Sequence, residues 1–328
     1  MKFPISLYLI AGNEEAHIKR VIESFKPIAE EVIVCMARGS VTPDKTEEIA
    51  LSLGAKVIHY KNKKTDWPHI DDFATARNTA LDACKNEWSI WVDADDIMAE
   101  DGEKVLEEGL EQAEKVGAEI VCFRYLVENA GLNPIREMAL RKGCGRWRNR
   151  VHEALEPNDK NKLLAIDKIF RIHRPITSKA DSADRNHRIL ADELTSTPFN
   201  LYYQHQEFFL RGQVDKAIEA GERALAFPDL DETLKYELLC NLGRCSPNEK
   251  RFRYLGEAIG VNPIRREAYF YLMAEYSARG DWAKAWHSGR ACMAMPKPNL
   301  HYWNQVHAVY DWQALDGYRM ASICYGQK

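Results

Sequence analysis

The segment Trp88-Ser89-Ile90-Trp91-Val92-Asp93-Ala94-Asp95-Asp96 carries five residues suited to a buried strand, followed by three carboxylates. Aromatic and β-branched side chains favour a strand, and ligand sites in open α/β sheets lie at the carboxyl ends of strands. Neighbouring carboxylates repel one another, and a divalent cation that they share with substrate phosphates relieves that repulsion. The segment therefore predicts a metal site formed by Asp93 and Asp95. The alternative is a solvated acidic turn in which Asp96 caps a helix.

Strand-like and helix-like stretches alternate on both sides of this segment through the first half of the chain. Thr42 followed by Pro43 is typical of a helix start, and Gly54 and Gly117 stand where a helix C-terminal glycine belongs. The alternation predicts an α/β fold with a doubly wound, mostly parallel sheet. Strands are predicted at Ile5–Ile10, Glu31–Met36, Lys56–Tyr60, Trp88–Val92 and Glu119–Tyr125, and helices near Glu14–Phe25, Pro43–Leu53, Asp72–Lys85 and Asp101–Val116.

The second half of the chain, from about Asp184, shows only helical periodicity and contains an internal repeat. The stretch 208–217 parallels the stretch 276–285, and 68 residues separate Gly212 from Gly280. This spacing is twice the period of about 34 residues that is typical of tetratricopeptide repeats. A degenerate middle unit falls around residues 238–255. An unrelated helical bundle with a coincidental spacing is the alternative.

Composition excludes several classes of protein. The 328 residues carry a formal net charge of -4, so no global positive field attracts nucleic acid. The apolar run Ile5–Ile10 is too short for a signal peptide or a membrane span. Eight scattered cysteines form no C-x-x-C pair, which predicts reduced thiols in a cytoplasmic protein.

These segments, taken in order, resemble glycosyltransferase family 2, in the bacterial subgroup that carries tetratricopeptide repeats behind the catalytic domain. The resemblance implies a GT-A type catalytic domain at residues 1–183 and a tetratricopeptide-like helical repeat domain at 184–328. It rests on Ser6-Leu7, Asn13-Glu14-Glu15, Ile18, Ser24, Glu31–Val34, Gly39-Ser40, Asp44, Thr46, Ile49-Ala50, Gly54–Val57, Asp72-Phe73, Ala76-Arg77-Asn78 and Asp93–Asp96.

The family resemblance implies a metal-dependent, inverting transfer of a sugar from a nucleotide-diphosphate sugar to an acceptor hydroxyl or another nucleophile. Asp93 and Asp95 match the D-x-D motif, which binds the metal–diphosphate, with Mn²⁺ or Mg²⁺ as the cofactor. The stretch Asn13-Glu14-Glu15 would lie beside the base and ribose. Arg77, in the A-R-N motif, would face the donor, since a guanidinium suits a diphosphate. Arg77 as an ordinary surface arginine is the alternative.

The chain departs from the family at one position, because Ala37 stands where an aspartate usually contacts the nucleobase. Either the donor is not the common uridine type, or another carboxylate such as Asp44 or Asp72 substitutes. A homologue with a defective donor site is the further alternative.

The stretch Arg146–Glu153 resembles the W-x-x-x-V-H-E segment of this subgroup. An inverting transfer needs a base within hydrogen-bond reach of the acceptor hydroxyl, and Glu153 is the candidate, with His152 assisting. The ring of Trp147 offers a flat face to an acceptor sugar. His173 is a candidate third metal ligand, in keeping with the late histidine of this fold. Each of these residues could instead be structural.

Six basic residues fall between Arg136 and Arg150, where they form either a solvated face or a docking site for a polyanionic acceptor. The acceptor could be a glycan, a peptide or protein, or nucleic acid, and the repeats could dock a partner or self-associate. Two other functions remain open. A nucleotidyltransferase would need a glycine- and lysine-rich phosphate loop after its first strand, but residues 11–15 are acidic. An interaction scaffold with a decayed donor site would account for the loss of the aspartate at Ala37, but not for the intact acidic cluster Asp93–Asp96.

Overall fold

The computed structural model describes residues 2–128, 134–174, 182–193, 197–296 and 309–326. By its internal contacts the chain divides into two units, Met1–Ile189 and Leu190–Lys328. The division falls inside a helix of residues 182–192, and the domain boundary expected at 183/184 stays a prediction.

A mixed sheet of eight strands forms the centre of the first unit within the described residues, in the order β3-β2-β1-β4-β7-β6-β10-β5. Strands β3, β2, β1 and β4 are parallel neighbours, whereas β7 runs antiparallel to β4 and β6. The strands are β1 (Ile5–Ala11), β2 (Glu31–Met36), β3 (Lys56–His59), β4 (Trp88–Val92), β5 (Asp96–Met98), β6 (Ile120–Val127), β7 (Ile135–Arg141), β8 (Gly145–Arg148), β9 (Ala154–Pro157) and β10 (Leu163–His173); β8 and β9 pair in a separate ribbon.

Helices cover the sheet because each presents an apolar stripe. In the first of them, Ile18, Val21, Ile22 and Phe25 are all buried, at the three- and four-residue spacing of one helix face. Gly117 ends the fourth helix in the left-handed conformation, with φ of 73°, as predicted. The helices of this unit are α1 (Ile18–Phe25), α2 (Thr46–Ser52), α3 (Phe73–Asp82), α4 (Gly102–Val116) and α5 (Ser182–Asp192).

The predicted helix start at Thr42-Pro43 is wrong, because α2 begins at Thr46. The Asp44 carboxylate accepts hydrogen bonds from the Thr46 backbone N–H at 2.9 Å and from its hydroxyl. A carboxylate satisfies the first free amide of the helix better than the hydroxyl of Thr42 would, since it also carries charge toward the positive end of the helix dipole.

The second unit consists of helices that follow one another along the chain. Gly212 and Gly280, the two glycines of the predicted repeat, have φ of 69° and 71° and occupy equivalent turns. In each turn the glycine N–H donates to a carbonyl three residues earlier, and the next N–H donates to a carbonyl five residues before it. The helices are α6 (Pro198–Leu210), α7 (Val214–Leu225), α8 (Glu232–Cys245), α9 (Asn248–Val261), α10 (Glu267–Ala278), α11 (Trp282–Ala294) and α12 (Ala314–Tyr325).

The predicted fold class, an α/β sheet followed by tetratricopeptide-like helices, is confirmed. Ala217 and Ala285, which lie 68 residues apart, are both fully buried, as expected where small residues let paired helices approach. None of the helices in the described ranges has the length and apolar character that a bilayer crossing requires.

Candidate active site

A cavity of about 570 Å³ opens at the carboxyl ends of β1, β2 and β4. These three strands are parallel neighbours, so their ends meet at one edge of the sheet. Later segments of the chain close the cavity from the other side. Its polar lining comprises Asn13, Glu14, Arg38, His69, Arg77, Asp93, Asp95, His152, Glu153, His173, Arg185 and Asn186, and its apolar lining includes Ile10, Ala11, Ala37, Val41, Pro68, Ile70, Phe73 and Val151.

Asp95, Asp96 and His173 form a cluster in which each residue offers a ligand atom within 4.8 Å of the others. Sheet pairing creates this cluster, because His173 at the end of β10 stands directly opposite Asp96 of β5 in the antiparallel register. The Nδ1 atom of His173 lies 3.4 Å from an oxygen of Asp95 and 3.4 Å from an oxygen of Asp96. The third candidate ligand therefore arrives from a strand far along the chain.

Within this cluster, Asp96 mainly holds the turn together. It is fully buried, and it accepts hydrogen bonds from the Asp93 backbone N–H at 2.8 Å and from the Tyr125 hydroxyl at 2.7 Å. The guanidinium of Arg171 lies 3.2 Å away and is flanked by the rings of Trp91 and Tyr125. The alternative in which Asp96 caps a helix is wrong, since Asp96 begins β5.

The residues of the cluster that face the cavity are Asp95 and His173. Hydrogen bonds with Asp95 and Asp96 raise the pKa of the His173 imidazole to about 10. One carboxylate and one imidazole, with open space beside them, form a donor set that fits a divalent cation completed by substrate oxygens and water. The geometry thus favours Asp95 and His173 as the metal ligands.

Asp93, the other predicted metal ligand, has a different partner. Its Oδ1 accepts a hydrogen bond from Nη2 of Arg77 at 2.7 Å, and in the part of the chain that the structure describes it is not a member of the metal-ligating cluster. Burial works to raise the pKa of Asp93, but the charges of Arg77 and Arg171 outweigh burial and hold this pKa below its ordinary value. Of the three predicted metal ligands, Asp95 and His173 belong to this cluster, whereas a ligand role for Asp93 stays a prediction.

Arg77 is a buried bridge between two carboxylates. Besides the bond to Asp93, its Nε donates to Oε1 of Glu153 at 2.7 Å, and its side chain is only 6% exposed. The rings of Trp91 and Trp147 lie against the guanidinium, at 4.5 and 5.2 Å. The surface-arginine alternative is thus excluded. The positive charge of Arg77, which is predicted to face a diphosphate, is instead shared by the carboxylates of Asp93 and Glu153.

Trp147, the predicted acceptor contact, lies in the core. It is 1% exposed, packs edge-to-face on Trp91 with ring centroids 5.1 Å apart, and donates from Nε1 to the Tyr8 hydroxyl at 2.9 Å. A ring with no exposed face cannot stack on a sugar, so the predicted acceptor contact is wrong. The ring instead helps to enclose Arg77.

Glu153 and His152 lie where the chain turns into the cavity. His152 has a φ of 54°, in the left-handed region, and the backbone carbonyl of Arg150 just before it accepts from the N–H of Phe73 at 2.8 Å. Burial lowers the pKa of His152 to about 4, so its ring is neutral at neutral pH. The Glu153 side chain is 14% exposed and lines the cavity, as a base acting on a bound ligand requires.

The predicted donor-binding residues divide into two groups. Asn13 and Glu14 line the cavity at the end of β1, together with Ala37 at the end of β2. Asp72 instead caps α3, where it accepts from the Thr75 N–H at 2.8 Å, and Glu15 accepts from the Lys45 N–H at 3.2 Å. Glu15 and Asp72 do not line the cavity: the carboxylate of Asp72 is bonded to the start of α3, and that of Glu15 to the backbone at Lys45.

Asp44 does not replace the carboxylate that Ala37 lacks. It caps α2 and accepts the Glu15 N–H at 3.0 Å, and it does not line the cavity. The cavity lining near Ala37 instead includes Arg38 and His69, a histidine that belongs to no recognisable sequence motif.

Arg185 and Asn186, on α5, also line the cavity and were not predicted. They follow the last strand of the sheet and belong to no recognisable motif. A sequence-based signal was therefore lacking.

The basic stretch Arg136–Arg150 is not a continuous positive surface. Arg141 pairs with Glu87 and Glu114, and Arg136 pairs with Glu137. Arg146 and Arg148 pair with Asp82 and Glu156. Neutralised side chains of this kind are typical of a solvated protein face rather than of a nucleic-acid site.

Comparison with known proteins matches residues 6–172, just over half of the chain, to the model of the family described as Glycosyl transferase family 2. An uncharacterized glycosyltransferase of Rickettsia bellii is 39% identical over 97 residues, which are 30% of this chain and 29% of that protein. The lipopolysaccharide core biosynthesis glycosyltransferase LpsC of Rhizobium meliloti is 30% identical over 169 residues, 48% of this chain and 58% of that protein.

The chain spans less than a third of the length of the first curated relatives that it matches. Among solved structures, residues 1–349 of S. aureus TarS in complex with UDP-GlcNAc share 13% identity, cover 99% of this chain and 92% of that one, and give a TM-score of 0.44. That is a distant likeness.

Proposed function

This chain belongs to glycosyl transferase family 2, and on that premise we propose that it transfers a sugar from a nucleotide-diphosphate sugar to an acceptor hydroxyl, with a divalent metal and inversion at the sugar carbon. The observation that carries the proposal is that Asp95, His173 and Glu153 line one cavity at the carboxyl ends of parallel strands. That arrangement supports the proposal, because a cation held by Asp95 and His173 and a base at Glu153 would act on the same ligand.

Asp95 and His173 would hold Mn²⁺ or Mg²⁺, and Asp96 would fix their positions through its bonds to the turn. When bound, such a cation would neutralise charge on the diphosphate leaving group. Asn13 and Glu14, at the end of β1, would contact the nucleoside part of the donor. Ala37 leaves that part of the cavity without the usual carboxylate, so the proposal does not specify the nucleobase of the donor.

Glu153 would accept the proton of the acceptor hydroxyl as the new bond forms. Arg77 would hold that carboxylate in place through the 2.7 Å bond to Oε1, which leaves the second oxygen, Oε2, to face the ligand. A single displacement requires the base and the leaving group on opposite sides of the sugar carbon.

The proposal is tested by incubating the protein with UDP-, GDP-, CDP- and dTDP-sugars and Mn²⁺, with water as the surrogate acceptor, and measuring release of the nucleoside diphosphate. We expect one donor class to be hydrolysed by the wild type. In Glu153→Gln we expect hydrolysis to fall about 100-fold or more, while the nucleoside diphosphate still binds.

Glu156→Gln is the matched control. Glu156 is 61% exposed and pairs with Arg148 on the β8–β9 ribbon, away from the cavity lining, so its hydrolysis rate should equal that of the wild type. Failure of every donor to be hydrolysed, together with failure of every nucleotide to bind in the presence of Mn²⁺, would contradict the proposed function.

A further inference from the structure

Arg185 is a charged residue of the cavity to which the proposed function gives no role. It lies on α5 and lines the cavity beside Asn186. The inference that follows rests on the proposed function, because it concerns how the same cavity holds its ligand.

The three arginines that line the cavity differ in their partners. Arg77 is bonded to Asp93 and Glu153, and Arg38 lies 3.6 Å from Glu47. Within the described ranges, no carboxylate comes within ion-pairing distance of Arg185; its Nε donates to the side-chain oxygen of Asn186 at 3.1 Å. Of the three cavity arginines, Arg185 is therefore the one that forms no ion pair with a carboxylate of the described residues.

The surroundings of Arg185 hold its guanidinium in place. The guanidinium carbon lies 4.7 Å from the centre of the Phe73 ring, in the geometry of a cation–π contact. Burial lowers the pKa of Arg185, and the negative charges of Glu153 and Glu14 only partly offset that effect. The group stays charged, since arginine is protonated throughout the range in which proteins are folded. A half-buried cation without an adjacent acid is unfavourable until an anion joins it.

A diphosphate in this cavity needs positive charge from more than the cation. Asp95 contributes negative charge on the metal side, and Arg77 is already neutralised by two acids. The guanidinium of an arginine presents paired N–H donors that match two phosphate oxygens. We propose that Arg185 binds the diphosphate of the nucleotide-sugar donor and so is the phosphate-binding arginine that Arg77 was expected to be.

The experiment is titration calorimetry of the full chain with Mn²⁺ and whichever of UDP, GDP, CDP and dTDP the wild type binds. Arg185→Gln should weaken binding of the nucleoside diphosphate roughly 10- to 100-fold, the range for loss of a charge-assisted hydrogen-bonded pair. Binding of the corresponding nucleoside, which has no phosphate, should change less than twofold.

Arg188→Gln is the matched control, because Arg188 lies one turn further along α5 and is exposed. It should bind the nucleoside diphosphate as the wild type does. Arg185→Lys keeps the charge but loses the paired donors, so its affinity should fall between those of the wild type and Arg185→Gln. If Arg185→Gln does not fold, the affinity of Arg185→Lys for the nucleoside diphosphate tests the proposal in its place.

The outcomes separate the two proposals. If the wild type binds no nucleotide in the presence of Mn²⁺, the proposed function fails. If the wild type binds one but Arg185→Gln and Arg185→Lys bind it equally well, the function stands and the role of Arg185 is overturned. Equal loss of nucleoside and nucleoside-diphosphate binding in Arg185→Gln would also overturn it, because the effect would then not depend on phosphate.

Discussion

Arg77 donates from Nε to Oε1 of Glu153 at 2.7 Å, across 76 positions of sequence. The same guanidinium reaches Asp93 at 2.7 Å, so one buried cation joins the turn after β4 to the segment that carries the candidate base. The turn that carries Asp93 and Asp95 and the segment that carries Glu153 are therefore held by a single side chain.

We expect Arg77→Gln to lower the free energy of unfolding by about 3 kcal/mol, since it leaves the partly buried carboxylates of Asp93 and Glu153 without their shared countercharge. The measurement is urea unfolding at pH 7. The same variant should lose most sugar-transfer activity, because Glu153 is no longer oriented.

The control for this prediction is Arg146→Gln. Arg146 is 48% exposed and pairs with Asp82, which is 58% exposed, so its loss should change the free energy of unfolding by less than about 1 kcal/mol. Equal destabilisation in the two variants would show that Arg77 has no special structural role.

His152 makes stability depend on pH. Its pKa is about 4 in the folded chain and about 6.5 when unfolded, so between these values the unfolded chain binds a proton that the folded chain does not. The contribution of His152 to the free energy of unfolding is fully present above about pH 6.5 and is lost as the pH falls to about 4. The loss amounts to at most about 3 kcal/mol.

The measurement for His152 is the free energy of unfolding from pH 7 to pH 4 in the wild type and in His152→Asn. Asparagine tolerates the positive φ of this position and does not titrate there. The wild-type curve should fall more steeply than that of the variant. Parallel curves would show that His152 does not stay neutral in the folded chain.

Gly39 allows the chain to pass close to the loop that carries His69. Its φ is 73°, and a Cβ at this position would lie 2.6 Å from backbone atoms of Trp67 and His69. Gly39→Ala should therefore lower the free energy of unfolding by about 3 kcal/mol or more, through both backbone strain and overpacking.

Gly54→Ala separates the two effects. Gly54 has a φ of 85°, but a Cβ there would meet no atom within 4 Å, so only the strain of about 1–2 kcal/mol applies. Both variants are measured by urea unfolding. If Gly54→Ala were as destabilising as Gly39→Ala, the close approach to Trp67 and His69 would not be the reason why position 39 requires glycine.

Strands β2 and β4 could be predicted from sequence because most of their residues are apolar and buried. Both match their predicted bounds. β10 could not be predicted, because its sequence mixes charged and apolar residues and its pairing with β6 and β5 comes from distant segments. β7, which runs antiparallel between β4 and β6, escaped prediction for the same reason.

The site was predictable in its position but not in its pairings. Asp93, Asp95 and Asp96 are chemically alike in sequence, and which of them faces a cation depends on which arginine reaches which carboxylate. Arg77 comes from α3 and Arg171 from β10, and both contacts arise only in the folded chain. Local sequence therefore located the acidic turn, while tertiary contacts decide which partner each carboxylate has.

The most direct test of the account is thermal unfolding with Mn²⁺ and the nucleoside diphosphate, compared between the wild type, Asp95→Asn and Asp101→Asn. Asp101 is an exposed acid before α4 whose side chain makes no capping bond, so it controls for loss of charge alone. We predict that Mn²⁺ together with the nucleotide raises the Tm of the wild type and of Asp101→Asn, and leaves that of Asp95→Asn unchanged. A wild type without any metal-dependent rise in Tm, or an Asp95→Asn variant that is stabilised as much as the wild type, would contradict the claim that Asp95 holds the cation.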